Sequence, residues 1–325
     1  MRPTTPLEDN KRVLIIDALN MFLRAYTIIP SMNPQGLPNG GTIGFIKSIQ
    51  KLCRNFRPHE VIICWDGHGG SEKRRQMNKN YKAGRKPVRF NRRMVELNED
   101  EEVINKAEQY IKLVEYLNET PTIQIVVDYV EADDIIAYAC AHDKYKGWNK
   151  HIISSDRDFF QLVSEEVMLY RPIQKKLVDK TSLLAEHGIH PNNFALARAI
   201  AGDKSDNLPG IHRAGLKTIK NRFPFMVNEE IQTVESIAQA CEEVPKKIKL
   251  HENILANLEL IQSNYDIMQL YKPVISGTTK QTINFAIEYF EPEWKKLDFQ
   301  RLLMTDGQIT YRFDTLYANF NKIIS

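Results

Sequence analysis

Acidic residues recur at the ends of short apolar runs and at the start of one helical pattern. Asp17 ends RVLIID, and Asp66 ends VIICWD. The other acids of this kind stand in VEADDIIAYA, SSDRDFFQL and AGDKSDNLPG, and they are Glu131, Asp133, Asp134, Asp156, Asp158, Asp203 and Asp206. Carboxylates gathered in one place repel one another, and a cation relieves that repulsion. Oxygen ligands without His or Cys favour hard ions such as Mg²⁺ or Mn²⁺.

Two such ions about 4 Å apart stabilise both the attacking water and the leaving oxygen when a phosphodiester is hydrolysed. A single acid at a helix start is as readily explained as a cap, and an acid after a strand as a turn residue. The recurrence over several strand ends favours the metal site. The eight histidines are scattered, and the sequence suggests no Ser–His or Cys–His arrangement as an alternative.

The apolar runs predict the elements that position these acids. Strands are predicted at residues 12–17, 61–66, 122–127 and 151–155, with helices at about 20–29, 42–55, 101–119 and 132–144 between them. A strand pair at 167–171 and 176–178 and a helix at 192–200 follow, and the chain from about 227 onward is mostly helical. This alternation predicts an α/β fold, with a mostly parallel central sheet and helices on both faces. Ligands of such sheets bind beyond the carboxyl ends of the strands.

A basic stretch lies between the second strand and the next helix. Residues 71–94 are dense in Lys and Arg, and Glu72 is the one acid among them. Its aromatic residues Tyr81 and Phe90 are suited to stacking on bases. In isolation such a run is more often a solvated loop. Next to a strand that ends in an acid, it is placed to hold phosphates over the active edge.

The overall composition bounds the class of protein. Hydrophobic residues are 42% and charged residues 26%, which is typical of a globular chain with a sizeable core. The net charge of +3 indicates little about partners. The polar N-terminus has no apolar segment of a secretion signal, and no apolar run approaches the ~20 residues that span a bilayer. The four cysteines form no CxxC pair, so we expect a reducing compartment.

Taken together, these motifs resemble the 5′ nuclease, or flap endonuclease, family. That family includes the 5′ exonuclease domain of bacterial DNA polymerase I and free-standing phage enzymes, among them the phage ribonuclease H type. The similarity runs in order from about residue 12 to 223, through IIDALNMFLRAY, ICWDG, YKAGRKP and the three later acidic motifs. It implies a PIN-like 5′ nuclease core at 1–180 with a helical arch at about 70–100. It also implies a helical region at 181–325, with a helix–turn–helix element for duplex DNA at about 200–222 and a C-terminal helical extension.

The resemblance implies roles for particular residues. Asp17, Asp66, Asp133, Asp134, Asp156 and Asp158 would lie nearest two Mg²⁺ ions, which Mn²⁺ can replace, and Glu131, Asp203 and Asp206 would be outer or second-metal ligands. Lys82 and Arg85 match catalytic arch residues that contact the scissile phosphate. The predicted nucleic-acid contacts are Arg24, Arg74, Tyr81, Lys82, Arg85, Lys86, Gly210, Arg213, Gly215, Lys217 and Thr218. The resemblance also implies K⁺ at the duplex-binding turn, where Arg213 replaces the usual first glycine.

The implied function is a metal-dependent 5′-3′ exonuclease and flap endonuclease on DNA, compatible with removal of RNA primers from RNA–DNA hybrid during replication. The family also implies a single-strand-binding protein or sliding clamp as partner, a monomer, and a cytoplasmic place in a bacterial or phage-infected cell. Two alternatives stay open. A silent, DNA-binding relative would have lost acids, yet all nine matched positions are acidic. A PIN-like ribonuclease acting on structured RNA usually has fewer acids and lacks the arch.

Overall fold

The computed structural model describes residues 10–85, 89, 97–273, 275–307 and 313–323. A six-stranded sheet lies at the centre of the chain. Its strands are β1 (Arg12–Asp17), β2 (Glu60–Asp66), β3 (Ile123–Val127), β4 (Asn149–Ile153), β5 (Val167–Arg171) and β6 (Lys176–Val178). The order across the sheet is β3-β2-β1-β4-β5-β6. Each neighbouring pair is parallel except the hairpin of β5 and β6. The prediction of a mostly parallel sheet is therefore confirmed.

Helices account for most of the remaining described residues. In chain order they are α1 (Ala18–Ile28), α2 (Gly40–Phe56), α3 (Glu72–Met77), α4 (Glu99–Asn118), α5 (Ala132–Cys140), α6 (Lys180–His187), α7 (Pro191–Ala201), α8 (Leu216–Arg222), α9 (Val234–Glu243), α10 (Lys249–Leu255), α11 (Leu258–Met268), α12 (Gly277–Glu288), α13 (Lys296–Thr305) and α14 (Phe313–Phe320). Local sequence sets several of the starts. Asn98 and Glu101 form a capping box at α4, and Pro191 occupies the first turn of α7 after the cap at His190.

The two faces of the sheet bury separate hydrophobic clusters. Val13 and Ile15 of β1 point to one face and pack with α5 and α7, whereas Leu14 and Ile16 point to the other and pack with α1 and α2. Alternate residues of a strand face opposite sides, so an unbroken apolar run such as VLII needs cover on both. Helices on both faces, as predicted, supply that cover. The first cluster continues to Ile287, so it crosses the expected boundary at 180.

The strand β4 begins two residues earlier than the apolar pattern predicts. Lys150 lies within it and is 3% exposed, and its ammonium donates to Glu166 Oε2 at 2.6 Å. A buried lysine that pairs with a distant acid leaves no trace in an apolar pattern, which explains the difference. The hairpin at 167–171 and 176–178 is as predicted.

The arch is described at its two ends. The stretch after β2 forms the short helix α3 and then a turn at residues 78–84. Residues 86–88 and 90–96 lie outside the described residues, and with them Lys86 and Phe90 of the predicted phosphate-binding stretch. The helix–turn–helix prediction corresponds to α7, the loop 202–215 and α8.

The C-terminal residues are helical, as predicted, from α9 to α14. Phe299 of α13 and Phe320 of α14 are buried in the cluster that also contains Phe45 and Tyr116. The last helices thus cover the face of the sheet that carries α1 and α2.

Cys53, Cys64 and Cys241 are buried and all four cysteines are unpaired. Burial raises the pKa of the Cys53 thiol to about 12. Among the described helices, none combines the length and the apolar character that crossing a membrane requires.

Candidate active site

The carboxyl ends of the central strands bring the first acids together. Asp17 ends β1 and also caps α1, because its Oδ1 accepts a hydrogen bond from Asn20 N at 3.1 Å. Its Oδ2 accepts from the Ser154 hydroxyl at 2.8 Å. Asp66 ends the adjacent β2, and its Oδ1 accepts from Ala132 N at 2.8 Å. These two acids, predicted from separate runs, lie at the carboxyl ends of neighbouring strands. We call this end of the sheet, with the acids that gather there, the acidic edge.

The loop after β4 adds Asp156 and Asp158 to this edge. Asp156 N donates to Ser154 Oγ at 3.1 Å, and Asp158 N donates to Asp156 Oδ1 at 2.9 Å. Ser155 N donates to Asn20 Oδ1 at 3.2 Å, which fastens the loop to α1. Asn20 and Ser154 were not singled out from the sequence. Only the parallel pairing of β1 and β4 shows that they meet the acids.

Three acids from distant parts of the chain form a second group. Oxygen atoms of Asp158, Asp203 and Asp206 all lie within 4.8 Å of one another. Asp203 and Asp206 come from a tight loop that the backbone pair Asp203–Leu208 closes. Arg198 stands beside them: its Nη2 donates to Asp158 Oδ1 at 2.7 Å and forms an ion pair with Asp203. Sequence reasoning missed Arg198, and its place five residues before Asp203 was the one available signal.

Glu131 and Asp134 face an internal cation. Arg74 is 5% exposed, and its Nη1 donates to Glu131 Oε2 at 2.5 Å and to Asp134 Oδ2 at 2.7 Å. Its Nε donates to Ile267 O at 2.9 Å. The structure therefore places Arg74 in the interior, rather than on a surface open to DNA as the sequence analysis expected. The cause is the pair of acids at the start of α5, because Glu131 caps the helix and Asp134 lies in its first turn, and a buried guanidinium can neutralise both.

Tyr81 departs from expectation in the same way. Its side chain is 4% exposed and belongs to the core cluster, and its hydroxyl donates to Glu131 Oε2 at 3.2 Å. The ring is thus not open to stack on a base in this structure. Tyr81 instead adds a donor to the carboxylate that Arg74 and Lys82 also contact.

The predicted catalytic cations lie directly against the acids. Lys82 Nζ is 2.6 Å from Glu131 Oε1, and Arg85 forms an ion pair with Asp206. Burial alone would lower the pKa of Lys82, but Glu131 and the neighbouring acids raise it above its usual value, so the ammonium is held charged. These two positive charges therefore sit at the rim of the acidic edge, where a phosphate would meet them.

Crowding and burial shift the pKa values of the acids. Burial, reinforced by the charges of Asp66 and Asp156, raises the pKa of Asp17 to about 7. Burial and the Asp156 charge raise that of Asp158 to about 7 and that of Asp133 well above its usual value. Arg74 and Lys82 offset burial at Glu131, whose pKa is lowered. These carboxylates offer only oxygen ligands, and each makes its neighbours harder to ionise. Such a cluster fits a hard divalent cation, because the cation stabilises the charged carboxylates.

In the predicted duplex-binding turn, close packing requires a glycine at position 210 but not at position 215. A Cβ on Gly210 would lie 1.9 Å from Ala201 O, whereas one on Gly215 would meet nothing within 4 Å. Arg213 is exposed and adopts a left-handed φ of 63°. Lys217 is exposed and Thr218 is partly buried in α8. The exposed guanidinium of Arg213 adds fixed positive charge where the resemblance implied K⁺.

Arg24 lies in α1, two turns after Asp17. It is therefore on the face of the sheet opposite to the one that carries α7. It lines a cavity of about 180 Å³ with Lys51 of α2 and Lys175 of the β5–β6 turn. Among the described residues, no acid lines this cavity, so its three cations suit an anionic group.

The family model described as "5'-3' exonuclease, N-terminal resolvase-like domain" matches residues 12–188. A 5′-3′ exonuclease of Aquifex aeolicus is 27% identical over 262 residues, covering 80% of this chain and 82% of the relative. A thermostable DNA polymerase I of Thermus thermophilus is 29% identical over 277 residues, covering 82% of this chain but 30% of the polymerase.

Two solved structures share the fold. The T5 5′-exonuclease with bound zinc has a TM-score of 0.66 at 21% identity, covering 86% of this chain and 100% of that one. A T5 flap endonuclease variant in complex with DNA and metal ions has a TM-score of 0.62 at 20% identity, covering 91% and 99%. At this identity the likeness establishes the arrangement of elements, and the chemistry rests on the residues described above.

Proposed function

The chain belongs to the 5′-3′ exonuclease family and is a nuclease, and on this premise we propose that it cuts DNA at 5′ ends and 5′ flaps with divalent metal ions. One observation carries the proposal. Acids from the ends of β1 and β2, the start of α5, the loop after β4 and the loop at 203–206 meet at one edge of the sheet, with the ammonium of Lys82 and the guanidinium of Arg85 against them. Crowded carboxylates beside fixed cations suit metal ions and a bridging phosphate.

Divalent ions held by these acids would lower the pKa of a bound water, which would attack the phosphorus, and would stabilise the departing oxygen. The protein's own residues orient that chemistry. Asp17 and Asp66 are held by backbone and hydroxyl donors, so their oxygens face a fixed place at the edge. Lys82 and Arg85 are placed to exchange their acid partners for the scissile phosphate and to offset its charge. Nine acids serve this centre in our proposal, with Glu131 and Asp134 held by Arg74 rather than free.

The duplex beyond the cut would rest on α7, α8 and the turn between them. Exposed Arg213 and Lys217 there suit backbone phosphates, while Arg24 suits phosphate on the other face of the sheet. We propose Mg²⁺ as the natural ion, with Mn²⁺ as a substitute. At the turn where the resemblance implied K⁺, we assign the positive charge to Arg213.

Further parts of the proposal rest on the resemblance alone. They are the split at residue 180, action on RNA–DNA hybrid, a single-strand-binding or sliding-clamp partner, a monomeric state and a cytoplasmic location.

The test is a flap assay read at nucleotide resolution. DNA flaps labelled at the 5′ or the 3′ end are incubated with the protein in Mg²⁺, Mn²⁺ or EDTA. We expect metal-dependent cuts near the junction or stepwise loss from the 5′ end. Intact flaps that are nevertheless bound in Mg²⁺ would identify a silent DNA-binding scaffold. Cleavage confined to substrates with an RNA 5′ strand would identify a ribonuclease.

A matched pair of variants separates chemistry from binding. Asp156→Asn should remove turnover while the affinity for flap DNA in EDTA stays near that of the parent chain. Asp143→Asn changes an exposed acid in the short helical turn that precedes β4 and should leave both unchanged. Equal turnover of the Asp156→Asn variant and the parent would contradict the assigned metal centre.

A further inference from the structure

The turn that carries Lys82 is fastened to the loop that leads into the duplex-binding element. Lys82 N donates to Asp206 O at 2.9 Å, and Arg85 Nε donates to Ser205 O at 3.1 Å. The side-chain amide of Asn207 donates to Asn80 O at 3.0 Å, across 127 residues of sequence. Together with the ion pair of Arg85 and Asp206, these contacts join residues 80–85 to residues 205–207. We call this set of contacts the turn–loop junction.

The loop side of the junction is stiff. Asp203 and Leu208 exchange two backbone hydrogen bonds of 2.8 Å, and Ser205 donates through both N and Oγ to Asp203 Oδ1. Gly210 follows at a distance from Ala201 that admits no side chain. Only Leu208 and Pro209 separate Asn207 from Gly210. A movement of the duplex-binding turn should therefore also move Asn207.

Unusual backbone conformations meet at the junction. Lys82 has a φ of 55° and Asn207 a φ of 58°, both in the left-handed region that residues other than glycine seldom adopt. Asparagine tolerates this region better than most residues, but lysine has no such preference. Such conformations persist where surrounding contacts hold them, and they concentrate at functional sites. The backbone bond from Lys82 N to Asp206 O is one such contact.

We propose that Asn207 is a positioning residue that holds Lys82 and Arg85 over the acids and couples their placement to the duplex-binding element. This inference rests on the proposed 5′ nuclease activity. Without the Asn207 amide, the turn keeps its two other hydrogen bonds and the ion pair of Arg85 with Asp206, but it loses the hydrogen bond that anchors Asn80. Lys82 then spends less time in the reactive position, so the chemical step slows. Metal ions and duplex DNA still bind, because none of their proposed ligands has changed.

The principal variant is Asn207→Gly, which keeps a positive φ available and removes the side chain with its amide donor. Asn207→Asp, close to isosteric but without the donor, is the second variant should the first fold poorly. The control is Asn80→Ala, since the junction uses the carbonyl of Asn80 and no side-chain hydrogen bond of Asn80 appears among the described residues. Single-turnover flap cleavage, KM, and flap affinity in EDTA are measured for each.

We expect roughly 3- to 10-fold slower cleavage for both Asn207 variants, as for the loss of one hydrogen bond in the transition state. KM and affinity should be unchanged for Asn207→Gly, whereas the added negative charge of Asn207→Asp should also weaken DNA binding. On a Lys82→Ala background, the effect of Asn207→Gly should shrink, because only the placement of Arg85 then depends on Asn207. Unchanged cleavage, or weaker DNA binding with unchanged cleavage, would overturn the inference. So would an effect that persists in full without Lys82. If the parent chain cuts no flap at all, the proposed function itself fails, and this outcome is distinct from the others.

Discussion

At the level of single residues, two arginines lie where the acids crowd most closely. Arg74 forms ion pairs with Glu131 and Asp134, and Arg198 forms ion pairs with Asp158 and Asp203. Both guanidiniums are largely enclosed, so each acts as a fixed internal charge rather than as a surface group. The divalent ions then have fewer negative charges to balance than the number of acids alone suggests.

Arg74→Ala should destabilise the fold strongly, because it leaves two buried carboxylates without their partner. Removal of one member of a buried ion pair typically costs about 3–5 kcal/mol of unfolding free energy. Urea denaturation in EDTA measures this loss. Arg75→Ala, on the exposed side of the same helix, is the matched control and should stay close to the parent. A small and equal effect of both substitutions would show that Arg74 is not part of the buried network.

The raised pKa values of Asp17 and Asp158, each about 7, predict a pH-dependent stabilisation by metal. A carboxyl with a raised folded pKa favours folding while protonated and opposes it as the pH rises through that value. Mg²⁺ binds the ionised form and removes this penalty. The gain in Tm on adding Mg²⁺ should therefore grow from pH 5.5 to pH 8.5, on the order of several degrees.

The difference between Mg²⁺ and EDTA is the proper readout for that prediction. Buried histidines such as His151, whose pKa burial lowers to about 4, oppose folding as the pH falls. They lie away from the metal ligands and contribute equally with and without the ion. A metal-induced shift in Tm that is the same at pH 5.5 and pH 8.5 would contradict the assignment of Asp17 and Asp158.

At the level of elements, the apolar runs were sufficient to locate the strands, and the acids that end them were found in the same step. The parallel order of β2, β1 and β4 then converts separate motifs into one edge. Arg74, Tyr81 and Arg198 were beyond sequence reasoning for one shared reason. Each makes its main contacts with acids far along the chain or across a loop. The sequence pattern around a basic or aromatic residue does not show whether its side chain faces the interior or the solvent.

The two glycines of the duplex-binding turn should differ sharply in their tolerance of a side chain. Gly210→Ala forces a methyl group against the end of α7, and overpacking of this kind costs roughly 1–3 kcal/mol or more. Gly215→Ala adds a methyl group in open space at a backbone conformation that alanine adopts, so stability should change little. Thermal unfolding of both variants in EDTA compares them. Equal losses would mean that the close approach of Gly210 to Ala201 is relaxed in solution.

At the level of the whole molecule, the C-terminal helices are structural partners of the core. Phe299 is fully buried between Tyr116 of α4 and Trp294, with ring centroids 6.2 Å and 5.1 Å away. The segment after α12 thereby covers helices from much earlier in the chain, since α13 contacts α4 and α14 contacts α2.

Phe299→Ala should therefore lower the unfolding free energy by about 3–5 kcal/mol, the usual cost of emptying an aromatic core position. Leu297→Ala, two residues away and 76% exposed, is the control and should be near neutral. Chemical denaturation reports both. If Phe299→Ala were as mild as Leu297→Ala, the C-terminal helices would not be integral to the core.

The buried cysteine thiols can report how often their surroundings open to solvent. Cys53 reports on the face with α1 and α2, and Cys64 and Cys241 on the face with α5 and α7. A thiol that is both inaccessible and protonated reacts with an alkylating reagent only while its surroundings are open. The modification rates of these cysteines, resolved by mass spectrometry, would therefore time the opening of each half of the molecule separately, without any label being introduced.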